Sequence, residues 1–85
     1  MTTECVRLNC QEINNLMKTA MLNFDDGLMD EGEECLVEAQ IFMNNVEDLM
    51  DRVMTFKGFK LLKENIWTTY WKTKDDLDEC CTNWF

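Results

Sequence analysis

The chain reads as an all-α protein of three to four antiparallel helices, over about residues 5–24, 31–56, 59–72 and 74–84, packed as a small helical bundle in one domain covering 1–85. Three observations predict this. Apolar residues recur at steps of three and four along most of the chain, the period of a helix with one buried face. Proline is absent and glycine occurs only at Gly27, Gly32 and Gly58, too little turn chemistry for an all-β domain. With 46 % hydrophobic and 29 % charged residues in 85 positions, the chain is globular. Its length allows one modest core that hides roughly 60–65 % of the unfolded surface.

The first helix is carried by Val6, Cys10, Ile13, Met17, Ala20 and Phe24, with Leu16 and Met21 widening the stripe. Asn9 lies three residues before Glu12 and is a candidate cap for a frayed first turn. Asp25-Asp26-Gly27 ends the helix, because glycine enters the left-handed region at little cost.

The second helix is expected to start at an Asp30 N-cap, with Glu31, Glu33 and Glu34 where the helix dipole favours negative charge. Its stripe runs Cys35, Ala39, Phe42, Val46, Leu49, Val53 and Phe56, flanked by Leu36, Met43, Met50 and Met54. At 1.5 Å per residue it spans about 40 Å. Gly58 marks a kink or turn before a third helix with Phe59, Leu62, Ile66 and Tyr70 on one side. The run from Ile66 to Trp71 is β-branched and aromatic, but a lone strand would lack a partner, which favours helix. Thr73 is expected to cap a short last helix patterned by Leu77, Cys80, Cys81, Trp84 and Phe85.

Leu16, Ala20, Phe24, Gly27, Gly32, Leu36 and Ala39 fall at spacings that resemble a tetratricopeptide unit over residues 13–46, under half of the chain. That family pairs two helices with small residues at their crossing, and the resemblance implies a protein-binding scaffold. No second unit follows at the family's period of about 34 residues.

Charge and residue inventory exclude several function classes. The formal net charge is −9, so phosphate backbones and anionic lipid repel the chain as a whole. Direct nucleic-acid binding and membrane association are therefore not expected. The apolar runs are too short for a membrane span, and the N-terminus lacks the pattern of a signal peptide. These features predict a cytoplasmic, reducing location, in which the five cysteines are thiols that mostly pack in the core.

Serine and histidine are both absent, which removes Ser-His and Cys-His catalysis. Cys35 lies near a helix start, but surrounding carboxylates disfavour its thiolate. Cys5 and Cys10 are five apart and Cys80-Cys81 are vicinal, so neither pair converges on a tetrahedral zinc. The acidic stretch from Asp25 to Glu34 fails as a calcium loop. With Gly32 at the sixth position, Gly27 and Met29 fall on ligand positions, and with Gly27 there, Leu22 falls on the first. The chain is read as non-enzymatic, with no cofactor and no metal.

Two surfaces are candidate partner sites. Residues 1–56 carry twelve acids against three bases, 57–74 carry five lysines against Glu64, and 75–85 carry four acids. The acidic face comprises Asp25, Asp26, Asp30, Glu31, Glu34, Glu38, Asp48 and Asp51. The basic-aromatic face comprises Lys60, Lys63, Trp67, Trp71 and Lys74. So small a domain cannot bury both aromatic rows, so some of Trp67, Trp71 and Trp84 are expected to be partly exposed, as interface anchors are.

The expected function is that of a small acidic protein that binds a partner protein as an inhibitor or antagonist. One concrete form is a phage- or plasmid-encoded decoy that fills the basic groove of a host or defence nucleic-acid-binding enzyme. The alternative is a structural subunit or adaptor that assembles, as a homodimer for example, through the second helix and the exposed tryptophans.

Overall fold

With no proline and few glycines, the chain has few places at which helix propagation must stop. The computed structural model describes the backbone of residues 2–55 and 59–84, and the side chains of residues 4–52 and 66–83. Its elements are α1 (Thr2–Asp25), α2 (Met29–Thr55) and α3 (Phe59–Trp84), with no strand among the described residues. Gly58 and the side chains of Val53, Met54, Phe56, Phe59, Lys60, Leu62, Lys63, Trp84 and Phe85, which the sequence singles out, lie outside the described residues.

All six residues of the stripe predicted for α1, from Val6 to Phe24, are buried. Asn9 is not a cap. It lies inside the helix, and its Nδ2 donates to the Cys5 carbonyl at 2.7 Å. The helix closes where glycine was expected to close it. Gly27 has a φ of 80°, its N–H donates to the Phe24 carbonyl at 3.1 Å, and the Leu28 N–H donates to the Asn23 carbonyl at 2.8 Å. This pair of bonds is the Schellman arrangement, which satisfies carbonyls that the helix end would otherwise leave open.

The turn is so tight that α2 begins earlier than the acidic cluster suggested. The Gly32 N–H donates to the Leu28 carbonyl at 3.0 Å, so Leu28 holds the capping position. Asp30 and Glu31 sit in the first turn, where they still favour the dipole.

The buried arc of α2 is rotated from the expected one. Leu36, Ala39, Met43, Val46 and Met50 form the buried row, while Cys35, Phe42 and Leu49 are only partly buried beside it. The cause is that α2 serves two neighbours. Its Cys35 side meets Asn23 of α1, and its Gln40 and Glu47 side meets Cys81 and Lys74 of α3. The row between the two contacts is the one excluded from water.

Residues 59–84 form one helix rather than two. Ile66, Tyr70, Thr73 and Leu77 are all buried at steps of four, three and four, so the stripe passes straight through the expected break. Thr73 is 2 % exposed and its hydroxyl is hydrogen-bonded to the Cys10 sulfur. A polar residue with a bonded hydroxyl can occupy a core position, and the cap reading fails because Thr73 lies in the interior of a continuous helix. The pairs Lys74–Glu47 and Cys81–Gln40 run in opposite directions, so α3 is antiparallel to α2. The resulting up-down-up bundle is a rod of 48 × 16 × 16 Å, in which, among the described residues, α1 and α2 make the most extensive contact.

Gly32 faces the Phe24 ring. A Cβ placed there would lie 2.5 Å from the nearest ring carbon, and Phe24 is buried. A helical Gly→Ala change ordinarily gains up to about 1 kcal/mol, but overpacking a core costs about 1–3 kcal/mol. Gly32→Ala is therefore expected to destabilise the protein, and the urea midpoint will show it as a decrease.

Candidate protein-binding surface

The outward face of α2 is where the acidic residues collect. At 100° per residue, Asp30, Glu34, Val37, Ile41 and Asp48 project within an arc of about 60°, opposite the row that enters the core. Glu31 and Glu38 lie on the flank toward α1 and Asp51 on the flank toward α3. All of these residues are exposed. Asp25, the last residue of α1, and Asp26, in the turn, are exposed at the same end of the rod. The eight acidic residues singled out from the sequence thus lie on α2, on the turn that leads into it and, for Asp25, at the end of α1.

Two members of this face are apolar. Val37 is 48 % and Ile41 is 56 % exposed, and together with Asp30, Glu33, Glu34 and Glu38 they line a shallow depression. Sequence reasoning passed over this pair. The signal was available, because both residues fall off the core stripe at i and i+4, next to each other on a helix surface.

Of the basic-aromatic face, the side chains of Trp67, Trp71 and Lys74 are described. Lys74 Nζ pairs with Glu47 Oε1 of α2 at 3.3 Å, so this lysine joins two helices. That hydrogen bond, with the neighbouring Tyr70, raises the Lys74 pKa. Trp67 and Trp71 stack with centroids 6.4 Å apart, and Tyr70 meets both rings edge-on. Trp67 packs against the core, whereas Trp71 is 50 % exposed. The partial exposure expected of the tryptophans is met by Trp71.

Elsewhere, Lys18 and Lys72 share the rim of an open groove of about 510 Å³ between α1 and α3 with Asp76 and Glu79. Its mixed charge sets it apart from the α2 face. Burial pushes the thiols of Cys10, Cys80 and Cys81 up, the direction opposite to an activated nucleophile. Cys5 is exposed, so the core reading does not extend to it. Among the described residues no group of three or more His, Cys, Asp or Glu side chains converges as a metal site. No helix among them is long and apolar enough to cross a membrane.

Comparison with protein-family models, curated proteins and solved structures finds no match for this chain. The resemblance of the first hairpin to a tetratricopeptide unit gains no support from them.

Two measurements check this description. Trp67→Ala is expected to lower stability by about 2 kcal/mol, and Trp71→Ala by less than about 1 kcal/mol, because only the first removes core packing; urea unfolding distinguishes them. The groups with shifted pKa are Cys10, Cys80, Cys81, Tyr70 and Lys74, and all are raised. The folded state therefore holds these protons more tightly than the unfolded chain. Their stabilising contribution is complete at neutral pH and is lost as pH rises beyond about 8.5, where unfolded thiols ionise. The urea midpoint should fall between about pH 8 and pH 10, and a flat profile there would contradict the assignment.

Proposed function

We propose that this protein is a non-enzymatic binding protein whose α2 face and adjoining turn occupy a basic surface of a partner protein, as an inhibitor or antagonist. One observation carries the reading. Residues 19–51 contain ten acidic residues and no lysine or arginine, and the eight acids of the acidic face are exposed on α2, the turn before it and the end of α1. Carboxylates placed this densely repel one another, and the cost is offset when a cationic surface covers them. A basic groove that binds nucleic acid meets that description, which makes a decoy of nucleic acid the concrete form of the proposal.

The attraction is long-range, so association should be fast and salt-sensitive. The test starts with capture of the partner from lysate in the presence of nuclease. Asp30→Asn, Glu31→Gln, Glu34→Gln and Glu38→Gln are then combined in one variant. Affinity for the captured partner should fall by at least about tenfold at low salt, with a shallower salt dependence. Unchanged affinity sinks the acidic-face reading.

A second reading rests on the half-exposed Trp71, an aromatic of the kind that anchors interfaces. In that reading the protein assembles with itself or in a larger complex through α3. Sedimentation over a range of concentrations tests it, and a monomer at every concentration removes the self-assembly version.

A further inference from the structure

Val37 and Ile41 form an apolar pair on α2 that stays half exposed and outside the buried core. Val37 and Ile41 point away from the core row of Leu36, Ala39 and Met43, and they lie in a depression bounded by Asp30, Glu33, Glu34 and Glu38. Branched aliphatic side chains left half in water forgo the gain of burial. Their acidic border restricts what can cover them. A second copy of this face would set carboxylates against carboxylates, and nucleic acid or anionic lipid would meet the same repulsion. A neutral apolar segment would leave the surrounding acids desolvated without partners. The complementary surface has an aliphatic centre and a cationic border.

From this we infer that α2 docks a basic amphipathic helix of a partner protein, with the partner's apolar residues on Val37 and Ile41 and its lysines or arginines on Asp30, Glu33, Glu34 and Glu38. The inference rests on the acidic-face reading and adds what that reading lacks. A decoy made of charge alone would bind any polycation, whereas the apolar pair selects a helix that carries a hydrophobic stripe. In this mode an amphipathic helix offers one apolar face, and anchors at i and i+4 set its register.

The probe is a short leucine-lysine peptide patterned as an amphipathic helix, compared by calorimetry with a scrambled peptide of identical composition. The intact protein is used, alongside a variant combining Val37→Gln and Ile41→Gln, whose helix content is verified by circular dichroism. Both positions are exposed, and glutamine is a good helix former. The patterned peptide should bind the protein at least about tenfold more tightly than the scrambled one, and the double variant should abolish most of that preference. Equal binding of the two peptides overturns the inference but leaves the acidic-face reading intact. A preference that survives the double substitution also overturns it, because the apolar contact then lies elsewhere. If neither peptide binds at low salt, the acidic-face reading fails and the inference fails with it.

Discussion

The close approach of Phe24 to Gly32 is the contact on which the rest of the bundle depends. Gly27 takes a left-handed conformation that returns the chain on itself within three residues, and the missing side chain at Gly32 leaves room for the Phe24 ring. The two glycines act differently. Gly27 has open space around it and is required for its backbone angle, while Gly32 is required for its lack of volume. Together they bring α1 and α2 close enough for Ala20 and Ala39 to be fully buried. The register of α3 against α2 is marked by the pairs Cys81–Gln40 and Lys74–Glu47.

That register explains how the charge is distributed. Cys81 of α3 lies against Gln40, and the helix ends at Trp84, about one turn later. The described polar contacts between α2 and α3 fall at Gln40 and Glu47, beyond the acidic first turns of α2. Lys74 reaches Glu47 but none of the acids nearer the turn. Among the described residues, no lysine or arginine is seen to pair with the carboxylates from Asp25 to Glu38. Asp30 and Glu31 are partly compensated by the α2 dipole, an effect confined to the first turn.

The seam between α1 and α3 shows how this core accommodates polarity. Thr73 and Cys10 are both buried, and the threonine hydroxyl lies against the cysteine sulfur. Cys81 likewise receives the Gln40 amide at 3.3 Å. Cysteine here is a small apolar residue that also accepts a hydrogen bond. This allows α3 to remain one helix through a position where threonine suggested a boundary.

The sequence by itself determined the helical class, the α1 stripe, the glycine turn and the exposure of the acidic residues. Each follows from local rules: the period of apolar residues, the backbone freedom of glycine and the cost of burying charge. Only the tertiary structure decided which row of α2 is buried, whether α3 is one helix or two, and that Lys74 pairs with Glu47 of α2. These depend on neighbours distant in sequence. The buried centre of α2 lies between two contacts and cannot be located from one helix alone. Thr73 reads as a cap until Cys10 is placed beside it. Val37 and Ile41 were visible as apolar residues off the stripe, but the acidic border around them became a surface only once α2 was rotated into place.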